Sequence, residues 1–362
     1  MSKSDWPDSR ILDLLGIELP IVQAPMAGPA GSALAAAVTG AGGLGSLPCA
    51  MLSPEQIRAE TEAIRKAASG PLNLNFFCHA ATPEDPVREA GWRDRLAGYY
   101  AELALEPPDT GAAATSRTPF DDAACRLVEA LRPEVVSFHF GLPEPRLLER
   151  VKSTGAKVLS SATTVAEARW LESRGCDAII AQGAEAGGHR GMFLDDEPAT
   201  QVGTFALVPQ VADAVRVPVI AAGGIADARG IVAALALGAS AVQIGTAYLF
   251  CPEARVSELH RKALADARDD GTALTNVFTG RPARSIVNRA VRELGPISAQ
   301  APAFPQAGTA LAPLRAKAEA AGSADFTPLW SGQAAALCRV RGAAELTREL
   351  AADALRRLRI SA

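Results

Sequence analysis

The sequence predicts an α/β chain folded as a (β/α)8 (TIM) barrel, with a mostly helical C-terminal cap and an insertion between the third and fourth strands. Three observations lead there. Eight short apolar, β-prone runs recur along the 362 residues, and Ala/Leu/Glu/Arg-rich segments with helical spacing separate them. No Gly-x-Gly-x-x-Gly follows the first run, which counts against an open dinucleotide-binding sheet.

The first run, Ile21–Met26, ends in Gln23-Ala-Pro-Met-Ala-Gly28, where small residues and a rigid proline let the main chain lie against a flat ring. A helix over Ser32–Thr39 leads to the second run, Leu44–Leu47, and a helix over Pro54–Ala68 leads to the third, Leu72–Phe77. Asn75 near the end of that run offers an amide hydrogen-bonder, or serves as a satisfied core residue. His79–Arg132 is longer than one crossover requires, and Glu106–Phe120 is rich in Pro, Thr, Ala and Gly, so a helix followed by a mobile loop is expected. The fourth run, Val135–Phe140, carries His139, which alternation turns toward the barrel axis or into a hydrogen-bonded core position.

A helix over Glu144–Ser153 precedes the run Lys157–Ala162, and one over Val165–Arg174 precedes Ala178–Gln182. Helices over Leu207–Ala214 and Asp227–Leu237 flank Val217–Ala222, and Ala241–Gly245 is the eighth run. The division expected is residues 1–250 as the barrel, with the insertion at about 79–132, and residues 251–362 as a helical substrate cap plus barrel-closing helices. Gly295–Gly308, where Pro and Gly accumulate, interrupts the helical pattern of Pro252–Ala362.

Composition narrows the function classes. The 36 Lys+Arg nearly balance 40 Asp+Glu, and no long basic block exists, so neither nucleic acid nor a membrane surface is an expected partner. Six dispersed cysteines lack zinc-knuckle or redox spacing, and the N-terminus lacks an apolar signal core, so a reduced, cytoplasmic, soluble protein is expected, as monomer or homodimer. No His/carboxylate cluster has metal-ligand spacing, so no catalytic metal is expected.

In a barrel the chemistry sits at the C-terminal ends of the strands. The end of the sixth run is the richest: Gln182-Gly-Ala-Glu-Ala-Gly-Gly-His-Arg-Gly191. Gly187 and Gly188 remove side chains where a planar cofactor can lie, and His189 is the one side chain nearby of a type that exchanges protons near neutrality; the alternative is a Gly-rich turn with a surface histidine. Gly223-Gly224 and Gln243-Ile244-Gly245-Thr246 follow the seventh and eighth runs, where paired loops commonly bind phosphate. His79 is placed at the same mouth, and His260, in a helical pattern, on the surface.

Four segments together carry a family resemblance: Pro20-Ile-Val-Gln-Ala-Pro-Met-Ala-Gly28, Ala162-Thr-Thr-Val-Ala-Glu-Ala168, Ala181–Gly191 and Gly280-Arg-Pro-Ala-Arg284. From about Ile11 to the C-terminal helices the chain resembles the nitronate monooxygenases, formerly called 2-nitropropane dioxygenases. The resemblance implies a metal-free TIM barrel binding FMN and converting nitronates or nitroalkanes with O2 to carbonyl compounds and nitrite. It implies FMN contacts at Asn75, Gln182, Gly187, Gly224 and Gln243–Thr246, which join Ala24, Pro25, Met26, Ala27, Gly188 and Gly223, read as cofactor-binding from the strand ends; His189 is the expected active-site histidine, and His139, matching a second histidine near the flavin, is expected to be catalytic with it. Where the better-characterised bacterial class places two tyrosines and a lysine in the substrate pocket, this chain has Phe304, Gly308 and Ala312. Loss of two hydroxyls and a cation implies a roomier, more apolar pocket than propionate-3-nitronate needs. The competing readings are an NAD(P)H-dependent FMN reductase of the enoyl reductase or quinone reductase type, and a non-catalytic flavin-binding paralogue.

Overall fold

The computed structural model describes residues 3–80, 83, 85–107 and 118–361. In chain order the strands are β1 Ile21–Gln23, β2 Gly45–Pro48, β3 Leu72–Phe77, β4 Val135–His139, β5 Lys157–Ala162, β6 Ala178–Gln182, β7 Gly188–His189, β8 Val219–Ala222, β9 Ala241–Ile244, β10 Thr272–Thr275 and β11 Ala283–Ile286. Eight of them pair in parallel in the order β1-β9-β8-β6-β5-β4-β3-β2, and a parallel bridge between Val22 and Leu44 joins the two ends. The sheet is therefore a closed TIM barrel, and each of its strands overlaps one of the eight runs read from the sequence.

The helices start where local chemistry starts them. Pro54–Ala67 begins with a capping box, Ser53 Oγ accepting from Gln56 N while Gln56 Oε1 accepts from Ser53 N. Thr164 and Asp227 cap the helices Val165–Ser173 and Ala228–Ala236 in the simpler way. The last helix, Ala343–Ser361, packs on Ala228–Ala236 and on Ser32–Thr39, covering the seam where β1 meets its neighbours.

A second buried cluster lies outside the barrel. The insertion supplies helix Pro86–Glu102, whose Trp92, Leu96 and Tyr100 pack against Val291, Leu311 and Leu314 of the C-terminal region. Trp92 Nε1 donates to Ala307 O at 3.2 Å and Tyr100 OH to Ala310 O at 2.5 Å. Insertion and C-terminal helices thus share one core. Of the loop expected over Glu106–Phe120, residues 108–117 lie outside the described residues.

The C-terminal region also holds strands that the sequence does not announce. β10 and β11 form an antiparallel ribbon, and β7 adds to its edge with His189 opposite Ala283 and Gly188 opposite Arg284. This small sheet carries the loop after β6 over the barrel mouth.

Candidate active site

One cavity opens at the C-terminal ends of the barrel strands. Ala24, Pro25, Met26 and Ala27 line it from the turn after β1, Asn75 and Phe77 from β3, and His139 from β4. Gln182, Gly187, Gly188 and His189 line it from β6 and its loop, Gly223 and Gly224 from the turn after β8, and Gln243, Gly245 and Thr246 from the end of β9. Ile244 does not join them, because strand alternation turns it to the opposite face from Gln243, where it is fully buried. Phe304 stands behind the wall, its ring 5.5 Å from that of His189 and 4.9 Å from that of His79. Gly308 is placed elsewhere: a Cβ there would lie 2.7 Å from Phe278 O, so its glycine serves helix packing. Ala312 is exposed on the outer face of its helix.

His189 is held by its backbone and its ring. His139 Nε2 at 3.2 Å and Gln182 Nε2 at 3.0 Å both engage His189 O, and Gln182 Oε1 accepts from Gly191 N at 2.7 Å. The His189 ring meets Thr279 Oγ1 through Nε2 at 3.0 Å and packs against Trp330 at 5.3 Å between centroids. A carbonyl only accepts, so His139 carries its proton on Nε2, and its Nδ1 accepts from Ser161 Oγ at 3.0 Å. Burial pushes the His139 pKa down to about 3, so the ring is neutral at working pH. With both nitrogens occupied, His139 positions the His189 segment.

The two remaining motifs converge on this loop. Glu167 accepts from Thr163 N and Oγ1, Phe193 N and Leu194 N, at 2.6–3.2 Å, pinning the far end of the loop to the turn after β5. Arg190 is fully buried and donates to Gln182 O, Gly183 O and Gln201 Oε1; burial pushes its pKa down to about 9. Arg284 holds Ala184 O at 2.8 Å, and Arg281 donates to Met192 O while its guanidinium lies 4.1 Å above the Phe140 ring. Phe140 adopts φ +70, a conformation that costs an L-residue roughly 1–2 kcal/mol, beside a Gly141 at φ +91.

The glycines divide into two kinds. A Cβ at Gly187 would lie 2.5 Å from Gly332 N and 2.6 Å from Ser331 C, so that glycine admits a crossing chain segment while its backbone lines the cavity. Gly188, at φ +72, would project its Cβ into open space at the cavity wall. The crossing segment, Trp330–Ala334, is fixed by Gly332 N donating to Thr246 Oγ1 at 2.9 Å and Gln333 N to Glu185 O at 3.0 Å. The sequence does not single out this segment or Glu185, whose carboxylate accepts from Thr204 N and Oγ1 at the start of helix Thr204–Ala214.

His260 corrects its expected place on the surface. It is 7% exposed, lines the cavity and contacts Trp330 O through Nε2 at 3.1 Å, and burial holds its pKa below the ordinary range. Its helix turns it inward together with Leu264 at i+4.

One end of the cavity suits a phosphorylated, ring-bearing ligand. The backbone N–H groups of Gly223, Gly224, Gly245 and Thr246 donate to no acceptor among the described residues, and they sit in the paired loops after β8 and β9. Gln243 Oε1 is buried at the cavity wall without a hydrogen-bond partner, a cost that a donor on a ligand would remove. Among the described residues no Lys or Arg lines the cavity, and no cluster of side chains could hold a metal ion.

The barrel, with its cavity at the strands' C-terminal ends and a histidine clamped over it, defines a (β/α)8-barrel enzyme. The nitronate monooxygenase family profile matches residues 8–353. The chain is 44% identical over 342 residues to a nitronate monooxygenase of Pseudomonas aeruginosa, covering 94% of this chain and 97% of that one. It is 43% identical over 342 residues to one of Paraburkholderia phytofirmans, covering 94% and 93%. Among solved structures, nitroalkane oxidase from Streptomyces ansochromogenes superimposes with a TM-score of 0.88 at 39% identity, covering 98% of this chain and 100% of that one. FabK from Thermotoga maritima gives 0.73 at 28% identity, covering 98% and 99%. The chain belongs to the nitronate monooxygenase family and is an oxidoreductase.

Proposed function

We propose that the protein uses bound FMN and O2 to convert nitronates to carbonyl compounds and nitrite, and that it prefers a nitronate whose organic part is apolar and larger than a propionate. The observation that carries the reading is the clamped His189 in a cavity whose other end offers four undonated backbone N–H groups and the unpartnered Gln243 Oε1.

Gly223, Gly224, Gly245 and Thr246 would hold the FMN phosphate, and Gln243, Asn75 and the Ala24–Ala27 turn its ring system. When bound, FMN supplies the electron acceptor for the nitronate carbon, chemistry that no side chain provides. His189 would donate a hydrogen bond to the nitro oxygens of an anionic nitronate, or take the α-proton of a neutral nitroalkane. Thr279 Oγ1 and the two donors on its carbonyl keep the imidazole aimed while this happens. Phe77 and Trp330 exclude water around it, with Phe140 and Phe304 behind. The largely apolar wall and, among the described residues, the lack of a lining Lys or Arg favour a substrate without a second negative charge.

Anaerobic mixing with an alkyl nitronate should bleach the oxidised flavin spectrum, and admission of air should release nitrite. Rapid bleaching by NADH, with none by any nitronate, would replace this reading with the reductase one.

A further inference from the structure

A second cavity, of about 470 Å³, lies beside the first, on the other side of the barrel wall. Adjacent residues of β3 mark the wall: Phe77 lines the first cavity and Phe76 the second, as alternation along a strand requires. Met51, after β2, lines both cavities, so the two meet over the strand ends at this flexible side chain.

Apolar side chains predominate in the second cavity. Leu52, Ile57, Phe120, Ala124 and Leu127 form much of its surface. Of its four polar residues, Ser53 and Gln56 satisfy each other in the capping box, Asp121 Oδ1 accepts from Ala124 N at the start of helix Asp122–Leu131, and Thr118 completes the set. Cys49 donates its thiol to Leu47 O, and burial pushes its pKa far up, so it offers no nucleophile. Among the described residues no Lys or Arg lines this cavity.

We propose that this second cavity is a hydrocarbon subsite, receiving the tail of a long-chain nitronate whose nitro end lies at His189. The proposal rests on the function proposed above and names the substrate class for it, an unbranched alkyl nitronate long enough to cross the rim at Met51. A short nitronate is held by the first cavity alone. Each methylene that passes the rim leaves water for an apolar surface and should raise kcat/KM about fourfold, until the cavity is full.

The test compares the nitronates of nitroethane, 1-nitrohexane and 1-nitrooctane as substrates of the FMN-loaded enzyme. Wild type should show kcat/KM rising with chain length through a lower KM. Ala124→Phe, which fills the second cavity from its outer helix, should cancel the rise and leave nitroethane nitronate unchanged. Ala123→Phe serves as a second obstruction should the first variant fold poorly. A flat chain-length series in wild type overturns the subsite, as does an equal effect of Ala124→Phe on short and long substrates. Failure of every nitronate to react would instead overturn the proposed function. In that case displacement of a long-chain fluorescent alkyl probe by 1-nitrooctane decides the subsite: displacement weakened in Ala124→Phe supports it, and displacement equal in both proteins overturns it.

Discussion

His139→Ala should reveal how the histidine beneath the active site is held. In the native protein the ring makes two hydrogen bonds, to Ser161 Oγ and His189 O, and packs at 4.5 Å from Phe140 and 5.9 Å from Phe77. Two net hydrogen bonds of about 1 kcal/mol each and the lost packing suggest a destabilisation of about 3–4 kcal/mol near pH 7.5. That cost should fall in acid. The folded pKa is depressed to about 3, so between pH 6.5 and pH 3 the unfolded chain binds the proton and the folded chain does not. Wild type therefore loses stability as pH falls through this window, by about 2 kcal/mol at pH 5 from this group, whereas the alanine variant loses none from this position. Urea unfolding of flavin-free wild type and variant at pH 7.5 and pH 5.0 measures the double difference, and flavin-free protein avoids coupling to ligand affinity. Parallel pH dependence in the two proteins would refute the neutral, doubly bonded imidazole.

Three further outcomes follow from the same geometry. Gly187→Ala forces a methyl against the backbone of Ser331–Gly332 and should cost about 1–3 kcal/mol, whereas Gly188→Ala should cost about 1 kcal/mol for its left-handed backbone but weaken FMN binding; thermal melts with flavin titrations distinguish them, and the reverse pattern contradicts the assignment. Glu167→Ala removes an acceptor shared by four donors and should lower kcat/KM by about 10²-fold through displacement of the His189 loop, with Glu167→Gln recovering part of it; wild-type kinetics in both variants contradict that role. Gln243→Leu should weaken FMN binding by roughly tenfold in a fluorescence titration, and unchanged affinity would remove Gln243 Oε1 from the flavin site.

The barrel is legible in the sequence because each strand is a short β-prone run bounded by helical periodicity, and the parallel topology leaves little freedom in how such units close. The mouth is legible for the same reason, since strand ends locate Asn75, Gln182, Gly223 and Gln243 together. What escapes is what long-range packing decides. β7 is two residues long and pairs with a strand almost a hundred residues later, so it leaves no periodic signal. At Gly187 the missing side chain does not announce that the distant Ser331–Gly332 backbone packs against it. His260 reads as a surface residue of a helical pattern, although its i+4 relation to Leu264 already marks the inner face. Ile244 falls to simple alternation beside Gln243.

The central claim is that His189, aimed by Gln182, His139 and Thr279, works on a nitronate beside bound FMN. Its most direct test is the visible spectrum of the FMN-loaded protein during anaerobic mixing with an alkyl nitronate, in wild type and in His189→Ala. The account predicts prompt bleaching in wild type, followed by nitrite on exposure to air, and bleaching slower by about 10–10²-fold, the worth of one hydrogen bond to an anion, in a variant that still binds FMN. Equal bleaching rates in the two proteins, or no bleaching of wild type by any nitronate, would contradict it.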